Sequence, residues 1–533
     1  MDEPSIEQIF EQALEFHESG RLQEAEQLCR EILRRQPDDG DAMHMLGIMA
    51  LQKGQHEAAA DLIGQAITLM PTDPDAHCNL GTALQSMGKP HEAIAAYRQA
   101  IALDPDLLRA QSNLGILLAQ TGLADQAIPA FQRAVAIDPN FMFAHYNLGN
   151  ALLEKGEMDA AIVSYRRAIG LKGDFAYAHL YLGNALGSKG LLEEAIAAFR
   201  QALALDPGLR TAHNNLGSAL RKVGRLDEAI AVYQQGIAAH PQAVECFCGL
   251  GSALIKKKLL KEAADVYRQA IALDGNCIAA HRGLAKALEL QGDIPAVIAA
   301  FKAAREVAAD PSNHDYELAA LGVGNAPPAS PRNYIVTLFN DYAQKFDQHL
   351  QNLNYIAPQL LFDAVSALGP PQPMDIIDLG SGTGMCGELF RPMARKLVGV
   401  DLAPKMIEMS RERGIYDHLM EQDITVALLE SPGQFDLIVA ADVFIYVGDL
   451  DEVFQAARTA LRPGGLLAFS IESVDRGDYV LRSSRRYAQS LEYIRRLASH
   501  NGFKEVSIQD AVIRNEGNLP VMGKIIVLQS AEG

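Results

Sequence analysis

The sequence lacks the features that mark nucleic-acid-binding and membrane-spanning proteins. Its 533 residues carry 47 Lys and Arg against 66 Asp and Glu, a net charge of −19. The imbalance runs along the chain, with 28 basic against 38 acidic residues up to position 312 and 19 against 28 beyond it. Phosphate backbones and anionic membranes require a basic surface, and a membrane span requires roughly 18 apolar residues in a row. We therefore expect no nucleic-acid partner and no membrane partner.

Cysteine is scarce, and the amino-terminal stretch has no apolar core. The six Cys residues form no paired framework, and no His/Cys group has the spacing of a metal site. The opening residues "MDEPSIEQIF" are acidic, unlike a secretory signal. These observations predict a cytoplasmic protein with reduced cysteines and no bound metal.

A 34-residue repeat occupies the first three-fifths of the chain. Each unit shows two apolar stripes at helical spacing, joined by a short turn that contains Gly. The turn register holds Gly20, Gly54, Gly88, Gly122, Gly156, Gly190, Gly224 and Gly292, with Lys258 as its one interruption. This pattern resembles the tetratricopeptide repeat. The resemblance implies an all-α superhelix of about nine helix pairs over residues 1–310, whose concave face suits a protein or peptide segment.

One polar position recurs within the repeats. It is held by Asn79, Asn113, Asn147 and Asn215, and the series is broken by Met45, Tyr181, Gly249 and Gly283. An amide can both donate to and accept from a peptide backbone. In tetratricopeptide proteins similar to this chain, Asn here lines the groove and holds the partner's main chain. The alternative is a tolerated surface residue that was copied by duplication.

Histidine also recurs in phase, at His77, His145, His179, His213 and His281. One His in each helix pair cannot converge on a single metal ion with those of other pairs. We expect these side chains to pack between helices.

The repeat period fails after Asp310. Residues 311–332 are interpreted as a linker that includes most of the Pro-containing stretch "NAPPASPRN". The aromatic helical segment 333–372 follows it. This segment is either a layer that covers the sheet of the next domain or a lid over its ligand site, and both can hold for one helix.

Strands and helices alternate from Pro373 onward. The predicted strands are Asp375–Leu379, Lys396–Val400, Phe435–Ala440, Leu466–Ile471, Val506–Ile513 and Lys524–Leu528. The pattern indicates an α/β doubly wound, Rossmann-like domain over residues 333–533, with a parallel sheet that ends in an antiparallel hairpin. Ligands of such sheets bind at the carboxyl ends of the strands.

A glycine-rich loop follows the first of these strands. In "DLGSGTGMCG" the glycines are spaced G-x-G-x-G, and Met385 stands where a dinucleotide fingerprint requires Gly. A P-loop would need Gly-Lys-Ser/Thr, which is missing. Asp401 closes the second strand, where a carboxylate can accept both hydroxyls of a ribose. The loop therefore fits neither of the two common phosphate-binding patterns.

Further motifs follow this loop in a specific order. "GVDLAPKMI", "QDI", "FDLIVAADVFIYV" and "LRPGGLLAF" come after "DLGSGTG". Together they resemble a class I S-adenosylmethionine-dependent methyltransferase over about residues 373–472. The preceding pattern YxxxLFxxYAxxFDxHL, from Tyr334 to Leu350, resembles that of bacterial predicted methyltransferases that carry tetratricopeptide repeats. This second resemblance covers both parts of the chain.

The resemblance implies S-adenosyl-L-methionine as cofactor and assigns residues to it. The implied contacts are Gly380, Ser381, Gly382 and Gly384 at the methionine part, Asp401 at the ribose, Leu402 and Met406 near the adenine, Asp423 and Ile424 at the adenine nitrogens, and Ala441 and Asp442 at the methyl-donor end. The family commonly has His where this chain has Gln489, so no acid/base role is expected there.

Methyl transfer is an in-line displacement, whose rate can come from alignment and desolvation. The segment "ADVF" follows the predicted strand Phe435–Ala440, where an Asn/Asp-Pro-Pro-Tyr segment is missing, and no Pro-Cys nucleophile is present. The acceptor is therefore expected to be an oxygen, nitrogen or carbon of a small molecule or protein. Candidate acid/base or orienting residues are Tyr446, Tyr487, Arg486 and His349. Each also has a structural interpretation, as a core-edge aromatic, a helix-face residue or a lid surface group.

The sequence thus predicts a methyltransferase whose repeats recruit a protein, either as the methylated substrate or as the carrier of a small acceptor. One alternative is an assembly scaffold with a catalytically silent cofactor domain, although its glycines and Asp401 are intact. Another is an oxidoreductase, which the missing G-x-G-x-x-G pattern disfavours.

Overall fold

The computed structural model describes residues 4–371, 373–516 and 519–531, and its contacts divide the chain into two compact units, Met1–Leu259 and Leu260–Gly533. The first unit consists of paired helices, as the 34-residue period predicts. Its helices are α1 Ile6–Glu18, α2 Leu22–Arg35, α3 Gly40–Gln52, α4 His56–Leu69, α5 Pro74–Ser86, α6 Pro90–Leu103, α7 Leu108–Gln120, α8 Ala124–Ile137, α9 Met142–Glu154, α10 Met158–Leu171, α11 Ala176–Ser188, α12 Leu192–Leu205, α13 Arg210–Lys222, α14 Leu226–Ala239 and α15 Val244–Lys256. Within the described ranges, no helix has both the length and the apolarity needed to cross a bilayer.

The recurring glycines have two different structural roles. Those of the turns adopt left-handed φ values, such as 71° at Gly54 and 85° at Gly224, which L side chains rarely adopt. Lys258 takes the same conformation with φ 63°. The glycines inside helices make room for a ring, because a Cβ at Gly149 would lie 2.7 Å from the Tyr165 ring. Equivalent rings face Gly81, Gly115, Gly183 and Gly217.

The second unit begins with repeat helices and continues into the α/β domain. Its helices are α16 Leu260–Leu273, α17 Ile278–Gln291, α18 Ile294–Val307, α19 Ser312–Ala320, α20 Arg332–Tyr342, α21 Phe346–Asn352, α22 Ala357–Ser366, α23 Met385–Phe390, α24 Pro404–Arg413, α25 Ile424–Leu429, α26 Asp451–Ala460 and α27 Leu491–His500. The predicted linker contains α19, and Pro328 in it accepts hydrogen bonds from Gly448 and Asp449 at 2.8 Å. The predicted boundaries at 310 and 332 stay predictions.

One mixed sheet forms the centre of the α/β domain. Its strands are β1 Met374–Leu379, β2 Ala394–Asp401, β3 His418–Glu421, β4 Phe435–Ala440, β5 Leu461–Ser473, β6 Tyr479–Leu481, β7 Tyr487–Gln489, β8 Phe503–Glu516 and β9 Leu519–Ser530. The order is β3-β2-β1-β4-β5-β7-β6, and β9 pairs antiparallel with β5 and β8. The strands β1, β2, β3, β4 and β5 are mutually parallel. The predicted doubly wound sheet with a final antiparallel hairpin is confirmed, and the short β3, β6 and β7 are additional.

Alternate strand residues face two separate cores. Ile377 and Ile438 pack with α25, α26 and α27, whereas Ile376 and Leu437 pack with α22 and α23. The chain leaves β1 toward β2 on one side and β4 lies on the other, so the strand order reverses at β1. A crevice outside the carboxyl ends of β1 and β4 is the expected ligand position in such a sheet.

Candidate functional site

A cavity of about 380 Å³ lies at this reversal point. The carboxyl ends of β1, β2 and β4 form its floor, and α20 and α21 form a wall that contributes Leu338, Phe339 and Leu350. Its size is that of a small-molecule site with mostly apolar walls and a few polar groups.

The glycine loop shapes one end of the cavity. Gly380, Gly382 and Gly384 have φ values of 62°, 54° and 98°. A Cβ at Gly380 would lie 2.6 Å from Val443 Cγ2, so any other residue would displace that side chain. The Ser381 hydroxyl lines the cavity, is buried, and has no hydrogen-bond partner among the described residues. A buried hydroxyl of this kind is available to a bound polar group.

Asp401 connects the glycine loop to the end of β2. Its two carboxylate oxygens accept the backbone N–H groups of Gly382 at 2.9 Å and Ala403 at 2.8 Å. Burial raises the pKa of Asp401 above its ordinary value. Each oxygen keeps a second lone-pair direction for a ligand donor. The arrangement can therefore accept two hydroxyl groups at once.

Of the four residues assigned to the adenine by resemblance, three line the cavity and one lies behind the lining. Leu402, Asp423 and Ile424 line the cavity. Asp423 caps α25, because its side chain accepts the Thr425 N–H at 2.8 Å. Met406 is fully buried behind the lining.

Helices α20 and α21 contact the glycine loop directly. The Asp347 carboxylate accepts the Thr383 hydroxyl at 2.6 Å and forms an ion pair with Arg413. The Phe346 ring would lie 3.5 Å from a Cβ at Gly382. The segment therefore borders the cavity, and its role as a covering layer or as a lid stays a prediction.

The far wall contains a buried ionic network that the sequence analysis missed. Arg514 is 2% exposed and forms ion pairs with Asp442 and Glu472. Asp442 has φ 55°, and its carboxylate accepts the Ser470 hydroxyl at 3.0 Å. Arg514 and Asp442 line the cavity. The predicted strand ended at residue 513, and an Arg within an alternating stretch gave no signal that it turns inward.

The four catalytic candidates do not share one location. Tyr446, Arg486 and His349 line the cavity, as does Ala441. Burial raises the pKa of Tyr446, so its phenol remains protonated. The Tyr487 hydroxyl instead donates to the Pro327 carbonyl at 2.6 Å, away from the lining. Tyr487 begins β7 and Arg486 directly precedes it, so neither residue is on a helix face.

Two other site predictions can be placed. Gly384 is outside the cavity lining, at the start of α23. Gln489 is buried and donates to the carbonyls of Phe444 and Val447, both at 2.8 Å. It supports the loop that carries Tyr446 rather than facing a ligand.

A second buried carboxyl lies beneath the glycine loop. Asp378 is 2% exposed, and its carboxylate accepts the Tyr416 hydroxyl at 2.6 Å. Burial raises the pKa of Asp378 to about 7. Its second oxygen has no hydrogen-bond partner within the described residues.

The recurrent Asn side chains of the first unit differ in exposure. Asn79 is 7% exposed, and its amide pairs with His44 at 2.9 Å. Asn215 donates to Asn184 at 2.8 Å. Asn113, Asn147 and Asn215 are half-buried. The series breaks at Gly249 because the Tyr233 ring occupies the place of a side chain there, and the Tyr267 ring does the same at Gly283.

Four of the five recurrent His side chains bind the turn before their helix, whereas the His213 ring contacts the Leu209 carbonyl at 3.3 Å. The rings of His77, His145, His179 and His281 each hydrogen-bond the carbonyl six residues earlier, at 2.9–3.1 Å. Among the residues that the structure describes, no group of three or more His, Cys, Asp or Glu is arranged to hold a metal ion.

Comparison with known families matches both parts of the chain. Residues 353–511 match the model of a methyltransferase domain. Models of tetratricopeptide repeats match residues 16–78, 78–140, 130–163, 149–190, 183–224 and 214–276.

Curated relatives resemble the second part. A ubiquinone biosynthesis O-methyltransferase of Colwellia psychrerythraea is 29% identical over 112 residues, which is 20% of this chain and 46% of that protein. A malonyl-[acyl-carrier protein] O-methyltransferase of Pseudescherichia vulneris is 26% identical, covering 26% and 52%. Human methyltransferase-like protein 27 is 31% identical, covering 29% and 61%. The chain thus spans about half the length of these relatives. A crystal structure of MamA is 29% identical with a TM-score of 0.30, covering 30% of this chain and 95% of that one.

Proposed function

We propose that this chain, which joins tetratricopeptide repeats to a methyltransferase domain, transfers a methyl group from S-adenosylmethionine to an oxygen of an apolar small molecule. The observation that carries the proposal is the single cavity in which the glycine loop and Asp401 meet the apolar wall of α20 and α21. One end suits a polar cofactor, and the other suits an apolar acceptor.

The residues present fit S-adenosylmethionine. The Ser381 hydroxyl is buried beside the loop and has no hydrogen-bond partner in the described part of the chain, and the loop has no side chain at Gly380 or Gly382 to obstruct a ligand. Asp401 would accept the ribose hydroxyls, and Leu402 and Ile424 would enclose the adenine. When bound, the cofactor supplies an electrophilic methyl group on a sulfonium.

The acceptor would lie against the wall formed by α20 and α21. Phe339 and Leu350 contribute apolar side chains to that wall, and the Phe339 ring packs edge-on against Tyr446 at 5.5 Å. Tyr446 would donate a hydrogen bond that orients the acceptor oxygen. His349 is the only His lining this described cavity, so it is the best candidate to take a proton from a hydroxyl acceptor.

Two relatives are named as O-methyltransferases, and this supports oxygen as the methylated atom. The repeats would recruit a protein that carries the small acceptor, with Asn113, Asn147 and Asn215 holding its main chain. Repeat superhelices offer extended surfaces for this purpose.

The test combines binding with turnover. S-adenosylmethionine and S-adenosylhomocysteine are titrated by calorimetry into the full chain and into Asp401→Asn, which keeps the side-chain shape but removes the charge. Tritium-labelled S-adenosylmethionine is then offered with 4-octylcatechol and with 4-octylaniline, which share a tail but differ in acceptor atom. Binding that weakens in the variant, with label transferred to the catechol, supports the proposal. Binding without transfer to either acceptor would favour the silent scaffold, and transfer to the aniline alone would exclude oxygen specificity.

A further inference from the structure

Seven aromatic side chains form a continuous cluster across two successive repeats of the first unit. Ring centroids of Phe143 and Phe175 are 6.0 Å apart, and Tyr146 lies 5.0 Å from Phe175 and 5.9 Å from Tyr181. The members are Phe141, Phe143, Tyr146, Tyr165, Phe175, Tyr177 and Tyr181. Within described residues 4–259, every ring-to-ring contact belongs to this aromatic cluster.

The repeat fold does not require two of these rings. Phe143 and Tyr177 are 51% and 48% exposed and occupy one repeat position, 34 residues apart. Other repeats hold Asp41, Asp75, Arg109, Thr211, Glu245 and Ala279 at that position. A polar residue therefore satisfies the fold, and a local group of exposed rings indicates a contact surface.

The seven side chains of the aromatic cluster are uncharged, exposed Lys172 and Asp174 of opposite sign precede Phe175, and the repeats on either side carry ion pairs. On one side Arg109 pairs with Asp75 at 2.5 Å, and on the other Arg210 pairs with Glu245 at 3.6 Å. Both pairs connect neighbouring repeats and balance their own charge. A charged partner segment would find no compensating charge over the rings, so the surface is complementary to an uncharged one.

Hydrogen-bonding groups accompany the rings. Asn147 follows Phe143 by four residues and Tyr181 follows Tyr177 by four, so each pair shares one helix face. The surface thus alternates exposed ring faces with amide and hydroxyl groups. Aromatic surfaces of this composition bind polyproline II segments, whose backbone carbonyls make no internal hydrogen bonds and whose conformation is formed before binding.

We propose that the aromatic cluster docks an uncharged, proline-rich segment of a partner protein. Proline rings pack on the faces of Phe143 and Tyr177, while the segment's carbonyls accept from tyrosine hydroxyls and from Asn147. This inference rests on the recruiting role proposed above and adds the chemistry of the recruited segment.

The test uses the full chain and a fluorescein-labelled decaproline peptide, followed by fluorescence anisotropy. The variant Phe143→Arg/Tyr177→Thr introduces residues that other repeats already carry at this position, so the array accommodates them. Thr211→Ala is the matched control at the same position outside the aromatic cluster. We expect the double variant to weaken decaproline binding at least about tenfold, as for truncated aromatic anchors. Thr211→Ala should bind as the parent does, with little effect of added salt.

Competing peptides distinguish the other occupants. Equal-length Gly/Ser, Lys-rich, Glu-rich and trimethyllysine-containing peptides should bind more weakly than decaproline. Tighter binding of any of them, or equal decaproline binding by the double variant and the parent, would overturn the proposal. Calorimetry with S-adenosylmethionine on the same double variant reports the cofactor function separately, so failure of one proposal is not mistaken for failure of the other.

Discussion

Replacing Arg514 by Met should destabilise the second unit far more than a comparable surface change. Arg514 is 2% exposed, and its partner Glu472 is 3% exposed at the side chain. Removing the guanidinium leaves the Asp442 carboxylate without its buried counter-charge and leaves Glu472 with only the more exposed Arg482 at 3.1 Å. Breaking a buried ion pair in this way costs about 3–5 kcal/mol, a large part of the about 5–15 kcal/mol of a whole domain.

The matched control is Arg495→Met. Arg495 pairs with Glu505 at 2.8 Å, and the two side chains are 57% and 41% exposed. Solvent screens such a pair, whose contribution is about 0–1 kcal/mol. The double variant Arg514→Met/Glu472→Gln should recover part of the loss, because it removes a buried charge whose remaining partner, Arg482, is 39% exposed.

The assay is native-state hydrogen exchange by mass spectrometry, read on peptides from β5 and β9. The chain has no Trp, so tryptophan fluorescence cannot follow unfolding, and a two-unit protein need not unfold in one transition. Peptide-level exchange assigns the free energy of opening to the second unit. Equal effects of Arg514→Met and Arg495→Met, or a further loss in the double variant, would refute the reasoning.

Three further predictions concern other parts of the chain. Burial raises the pKa of Asp378 to about 7, so ionising this carboxyl destabilises the folded state. The cost is absent below about pH 4 and complete above about pH 7. Relative to the parent, Asp378→Asn should therefore raise the free energy of opening of β1, measured by hydrogen exchange, by up to about 4 kcal/mol across that window. Asp347→Asn should speed S-adenosylmethionine release in stopped-flow displacement, because the ion pair with Arg413 is lost, whereas Asp363→Asn in α22 should not. Gly149→Ala should lower the Tm of the full chain, because the new methyl group meets the Tyr165 ring at 2.7 Å, whereas Gly170→Ala meets no atom within 4 Å and should not.

The sequence predicted the elements whose signal is local or periodic. The 34-residue period and the ordered motifs after β1 require only spacing, so the helix pairs and the parallel strands were readable. Strand β3 has only four residues and β7 only three, too few for an alternation to appear.

The wall of the cavity that contains Arg514 could not be predicted from the sequence, for a different reason. Arg514 becomes buried only because β8 pairs with β9, and β9 pairs with β5, which brings Glu472 beside it. This contact joins residues 42 positions apart, and no pattern in one segment encodes it. The proposed cofactor end of the cavity is formed by the glycine loop and the end of β2, which can be recognised as sequence motifs. The proposed acceptor end is formed by several segments that are far apart in the sequence.

The β6–β7 hairpin joins that acceptor end to the last repeat helices. Arg485 forms ion pairs with Glu289 in α17 at 2.5 Å and with Glu317 in α19 at 2.6 Å, all three side chains being about one-fifth exposed. The next residue, Arg486, lines the cavity. A chain that began after residue 310 would lack Glu289, so the β6–β7 hairpin beside the cavity would lose one of its two ion pairs to the helices. Loss of activity in such a protein would therefore not measure recruitment, and a chain that starts at Leu260 keeps both carboxylates while removing the aromatic cluster.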